Sequence, residues 1–161
     1  MTGTPSPTDT VGGFDQRLTQ ALTIIDNALP AATDRERFGE YAELADHVIA
    51  IAHHLEAVDP DEAVRLLTSC GTNQDQRAAY TGALTTLQAA HRIQQSVANG
   101  DNTPELAEIL TLTGIIQRQL GRFEEAEGTQ ARALTIKEAV YGPDHPEVAV
   151  TLGNLGIVQG G

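Results

Sequence analysis

The sequence has little of what binds nucleic acid, crosses a membrane or staples a secreted domain. Ten basic residues stand against 22 acidic ones, for a net charge of −12, and only one of the ten is a lysine, Lys137. Nucleic-acid binding draws on clustered Lys and Arg that release counterions from phosphates. The arginines here are scattered singly, which argues against DNA or RNA as a direct partner. No apolar run approaches the roughly 20 residues that span a bilayer, and no charged and then apolar leader opens the chain. The one cysteine, Cys70, cannot form an internal disulfide; beside Leu66 and Leu67 it has the setting of a small hydrophobe. A soluble, cytoplasmic, membrane-free protein is the expectation. Aromatic residues make up 4 % of the chain and Trp is absent, while Ala, Leu, Gln and Glu are abundant, a mixture that favours helices over sheets. An all-α fold follows, and 161 residues suffice for one domain with its own core.

What is present is helical punctuation. Residues 1–13, MTGTPSPTDTVGG, have the composition of a flexible tail. From Phe14 the apolar residues Leu18, Leu22, Ile25 and Leu29 recur on one helical face that ends at Pro30. A second helix is expected after Thr33, carrying Leu44, Val48, Ile51, Leu55 and Val58 and stopping before Pro60. Asp59-Pro60-Asp61-Glu62 is a helix start, with Asp as N-cap, Pro in the first turn and Glu placed to reach back. That third helix is expected to run to about Gly71, and a fourth from Gln76 to about Val97, ended by the turn residues Asn99-Gly100-Asp101-Asn102.

Beyond that turn the chain repeats itself. TPELAEILTLTGIIQRQLGRFEEA, from Thr103, matches HPEVAVTLGNLGIVQGG, from His145: Pro104 and Pro146, Glu105 and Glu147, Ala107 and Ala149, Leu110 and Leu152, Gly114 and Gly156 each lie 42 positions apart. An earlier copy lies 43 positions upstream, where Tyr80 answers Phe123, Ala83 answers Ala126, Ala90 answers Ala133 and Ile93 answers Ile136. Repetition at this period is the mark of stacked helical units. Each unit reads as two antiparallel helices, with Gly114, Ala126 and Ala133 small because helices must approach closely there. The organisation expected is a tail at 1–13 and a helical domain at 14–161, divided into an N-terminal helical pair (14–58), a degenerate repeat (59–101), the best-defined repeat (102–144) and an incomplete one (145–161).

The stretch from Leu120 to Gly156 resembles the long-period tetratricopeptide repeat of kinesin light chains and of many bacterial signalling proteins. Leu120-Gly121-Arg122-Phe123-Glu124-Glu125-Ala126, Ala133-Leu134 and Gly142-Pro143-Asp144-His145-Pro146 carry the likeness. Upstream, Tyr41, Leu44 and His47-Val48 resemble the segment that joins nucleotide-binding core to repeat arm in STAND-type (NB-ARC and NACHT) signalling proteins. The resemblance implies a right-handed α-solenoid of about seven helices that binds proteins. The family's nucleotide-binding core has no counterpart here, since no GxxxxGK[ST] phosphate loop occurs, and no ATPase activity carries over. Thr113, where the repeat usually has Leu, and Gly128, inside a helix, depart from the pattern.

No chemistry-bearing constellation emerges. His47, His53 and His54 lack the i, i+4 spacing of paired helical ligands, His145 belongs to a turn with Asp144 as a cap candidate, and Glu124-Glu125 and Asp59-Asp61 sit at helix starts where carboxylates suit the helix dipole. Neither an enzyme nor a metal or cofactor site is expected. A binding surface is: the first helices of stacked hairpins line a concave side, placing Glu108, Thr111, Ile115 and Arg118, then Val150, Asn154 and Ile157, in a groove for a protein or peptide. Asn154 can hydrogen-bond a bound peptide's backbone. Val148, Leu152, Leu155 and Val158 are expected to form an apolar face for a further helix, covered by a second copy in a homodimer or by repeats of a longer chain. The reading is an interaction scaffold, the arm of a bacterial signalling system; the alternative is a regulator whose groove senses a small peptide effector.

Overall fold

The computed structural model describes residues 38–99 and 102–160, with side chains described from Ala45 onward. The chain divides into two units, Met1–Leu44 and Ala45–Gly161. The tail and the helix expected from Phe14 lie outside the described residues. Among those described, six helices follow one another and no strand occurs: α1 (Phe38–Leu55), α2 (Pro60–Gln76), α3 (Tyr80–Val97), α4 (Pro104–Gln119), α5 (Phe123–Tyr141) and α6 (Pro146–Gly160). Six of the seven expected helices are thus in view, and the all-α reading holds.

Helix starts fall where the local chemistry puts them. The Asp59 side chain accepts from the Glu62 amide at 3.1 Å, with Pro60 in the first turn of α2. Thr103 caps α4, its hydroxyl accepting from the Leu106 amide at 3.2 Å and from Gln94 Nε2 at 3.0 Å. The start of α6 departs from expectation. Here His145 supplies the acceptor, its Nδ1 taking the Glu147 amide at 3.1 Å while its ring stacks on Tyr141 at 4.5 Å.

The end of α2 also differs. The helix runs through Gly71 to Gln76 and breaks at Arg77-Ala78-Ala79. Gly71 is no stop signal; it is buried, and a Cβ built there would lie 2.7 Å from Leu87 Cγ, so the missing side chain admits α3. The true stop is a left-handed residue, Ala78 at φ 59°, with the Ala79 amide donating to Gln74 O at 2.9 Å and the Ala78 amide to Asp75 O at 2.9 Å. Forty-three positions on, Gly121 at φ 75° closes α4 the same way, with Arg122 donating to Gln117 O at 2.8 Å. Both are Schellman closures, one made with the residue that favours this conformation and one without it. Val58, expected in the second helix, lies beyond the end of α1 and is 63 % exposed.

Sequence neighbours pack on one another. The pairs α2 with α3 and α4 with α5 form hairpins, α3 leans on α4 and α5 on α6, and α2 and α6 each touch α4. Ile116 of α4 inserts among Ala83, Leu84 and Leu87 of α3, while Leu106, Ala107 and Leu110 on another face of α4 meet Ala133 and Ile136 of α5. Each fully buried Leu or Ile of this kind contributes about 2 kcal/mol. Gly114 lies against Gln130, whose Nε2 would be 2.6 Å from an added Cβ and donates to Thr111 O at 3.0 Å. Ala126 and Ala133 are 0 % exposed, so small residues set the approach of α4 and α5. A bidentate bridge from Arg92 to Glu56, at 2.6 and 3.1 Å, ties α3 to the turn after α1.

Candidate functional site

The site is built from the first helix of each hairpin. Repetition at 43 and 42 positions puts Arg65 of α2, Glu108 of α4 and Val150 of α6 in equivalent places, and likewise Thr72, Ile115 and Ile157. Between the starts of α2 and α4 lies a cleft of about 760 Å³ lined by Asp59, Asp61, Glu62, Arg65, Thr68, Ser69, Gln94, Thr103, Glu105 and Glu108 among others. Five of these side chains are carboxylates and one is a cation. Arg65 is itself engaged by Glu62, at 2.6 Å. The lining is therefore net acidic, and the positive ends of the α2 and α4 dipoles offset that charge only partly.

The sequence-derived groove residues divide. Glu108 lines the cleft and is exposed. Ile115 and Arg118 are half-buried. Beside Arg118 lies Asp75, its counterpart in α2; burial pushes the Asp75 carboxyl above the usual carboxylate range and the Arg118 charge pulls it back. Thr111 is not available to a partner, because it is buried and its hydroxyl donates to Ala107 O at 2.8 Å. In α6, Val150 and Ile157 are 56 % and 55 % exposed and Asn154 is half-buried.

The set expected to form an open apolar face also divides. Leu152 is 49 % exposed and Leu155 half-buried, but Val148 and Val158 are 1 % and 7 % exposed. These two valines are a correction. They lie on the side of α6 that faces back into the chain, where α5 packs, and so they take no part in an outer face. The same junction holds Lys137, the single lysine: its side chain is 5 % exposed and donates to Glu147 at 3.0 Å, tying α5 to the first turn of α6.

Sequence reasoning missed Asp59, Asp61, Glu62, Arg65, Thr68, Ser69 and Glu105 as a shared lining. Carrying the 43-residue offset from α4 back onto α2 would have found Arg65 and Thr68. Groups proposed and set aside as chemistry keep bland surroundings. His47 is exposed, His53 is 3.9 Å from Glu56, and Glu125 is 3.8 Å from Arg122. Among the described residues no group of three or more His, Cys, Asp or Glu is arranged to hold a metal ion, and no helix is long and apolar enough to cross a membrane. Burial, with a smaller push from Asp46, raises the Cys70 thiol to about 11, far from the thiolate that reactive cysteines need.

Two first helices flanking a cleft, repeated at a fixed period with paired second helices, define a helical-repeat binding scaffold. The family model for the tetratricopeptide repeat matches residues 76–139 and again 117–160, more than half of the chain, and the chain belongs to that family. Tetratricopeptide repeats are protein-interaction scaffolds. A crystal structure of BtubC (BKLC) from P. vanneervenii is similar, with a TM-score of 0.66 at 22 % identity over 88 % of this chain and 54 % of that one. The likeness is one of fold, and the chain spans about half the length of that protein. No match was found among curated proteins.

Proposed function

We propose that this scaffold holds an extended segment of a partner protein along the first-helix side of α2, α4 and α6, and that the segment is cationic where it crosses the cleft. The observation that carries this reading is the cleft's lining, five carboxylates against one already engaged arginine. Glu108 anchors the acidic end. Ile115 and Arg118 continue the groove, and Val150, Asn154 and Ile157 extend it with apolar surface and one carboxamide. The scaffold does no chemistry of its own and works in the cytoplasm. Its place is the interaction arm of a bacterial signalling protein of the STAND class, supported by the likeness of Tyr41, Leu44 and His47-Val48 to that family's linker.

Titration with a fluorescent Lys/Arg-rich peptide, against an Asp/Glu-rich peptide of equal length, tests the groove. The cationic peptide should bind with an affinity that falls as salt rises, and E105K with E108K should abolish binding. Equal binding of both peptides, or binding indifferent to the charge reversal, would remove the reading.

A further inference from the structure

The second helices of the two hairpins carry one pair of residues with a single exchange. Ala133-Leu134 of α5 answers Ala90-His91 of α3, 43 positions earlier. Both alanines are 0 % exposed, and Leu134 and His91 are both half-buried. An imidazole therefore stands in a leucine's place. Seven residues before it, two turns back on the same face, Leu84 meets Ile116 of α4. One turn after it, Gln94 donates to Thr103, the cap of α4, at 3.0 Å. Both contacts join α3 to α4, so His91 lies along the seam between hairpin α2–α3 and hairpin α4–α5.

The ring suits that position only while it is neutral. Its Nε2 is buried and finds no hydrogen-bond partner among the described residues. A neutral imidazole can leave one nitrogen without a proton, whereas the protonated ring carries N–H on both and must here bury one without an acceptor. Charge adds to that penalty. Burial first, and then the Arg132 guanidinium of α5, hold the His91 imidazole below its ordinary value of about 6.5. The carboxylates of the neighbouring elements are engaged elsewhere: Glu56, after α1, is bonded by Arg92; Asp61 and Glu62 of α2 line the cleft with Glu105 and Glu108 of α4; and Asp75 of α2 lies beside Arg118 of α4.

We propose that His91 is an acid-sensitive catch between the two hairpins: neutral, it packs as leucine does in the next copy, and protonated, it loosens α3 from the second hairpin and so slackens the cleft they share. The sign follows from the lowered value in the folded chain. The unfolded chain binds the proton more readily, so the stability His91 contributes is complete above about pH 6.5 and is lost as the pH falls through the lowered value. The catch depends on packing along the seam and not on what the groove binds.

Three measurements on the full chain test it. The His91 ring resonances, followed by NMR from about pH 8 to 5, should give a midpoint below that of an ordinary histidine, and R132Q should raise it. The fall in urea midpoint between about pH 7.5 and 5.5 should be at least halved in H91L, which installs the residue of the next copy. His145 also gives up its bond to the Glu147 amide on protonation, so the quantity read is the share of the fall that H91L removes. Amide protection, corrected for intrinsic exchange, should drop at acid pH in α3 and the first turn of α4, and hold there in H91L. An ordinary or raised His91 midpoint overturns the proposal, as does an acid loss in H91L equal to that of the native chain. Protection lost evenly over all six helices overturns the placement at the seam. The ring titration of the native chain needs no substitution, so it decides the matter even where H91L fails to fold.

Discussion

Helices α4 and α6 are nearly the same helix written twice, and they live in different surroundings. Both open with Pro-Glu, both follow with Ala, Leu and Gly at matched positions, and both end at a Gln or Gly. In α4 the Leu is 5 % exposed and the Gly is pressed against Gln130; in α6 the Leu is 49 % exposed and the Gly faces nothing. Equal sequence gives equal local structure. Burial belongs to the neighbour, because α4 has α3 on one side and α5 on the other, whereas among the described residues the second helix packed on α6 is α5. Even the caps differ, a Thr103 hydroxyl in one and the His145 imidazole in the other.

The comparison is broken most severely at the leucines. Leu110→Ala should lower stability by about 3 kcal/mol, the range for a buried leucine, and Leu152→Ala by under about 1 kcal/mol; paired urea melts measure both. Equal losses would mean that α6 is covered in solution. The glycines should give opposite signs. G114A drives a Cβ into Gln130 and should destabilise by about 2 kcal/mol, while G156A adds a methyl in open space and should stabilise by about 1 kcal/mol through helix propensity. Thermal melts report the signs directly. Smallest is the cap contrast: Thr103→Ala should cost about 1 kcal/mol of global stability, whereas His145→Ala should show as faster amide exchange confined to the first turn of α6. A global loss from His145→Ala would show that the first turn of α6 is integral to the fold.

Legibility followed the range of the interaction. The starts at Pro60, Pro104 and Pro146 were readable because a first-turn proline acts locally, as was the Asp59 cap, whereas the cap of α6 is His145 and not the expected Asp144. The end of α2 was not. Gly71 looks like a stop in one dimension, and its notch for Leu87 exists only once α3 has folded back. Ala78 carries no sequence mark of its left-handed backbone, although its repeat counterpart Gly121 does. For the groove, periodicity put Glu108 on an exposed face, where it lies, but Thr111 is buried, because a threonine facing its own helix carbonyl looks the same in sequence as one facing solvent. The acidic cleft draws Asp61, Glu62, Glu105 and Glu108 from two helices, and no local pattern joins them.

By itself the sequence determined the helical class, the 42- and 43-residue repetition, the family and the small residues that helix crossings require, since each rests on spacing or on composition. Tertiary structure alone decided which copies of a repeated stripe are covered, that Val148 and Val158 turn inward toward α5, and where carboxylates of separate helices converge. Those outcomes depend on which helix stands beside which, and a residue's own identity does not encode its neighbour.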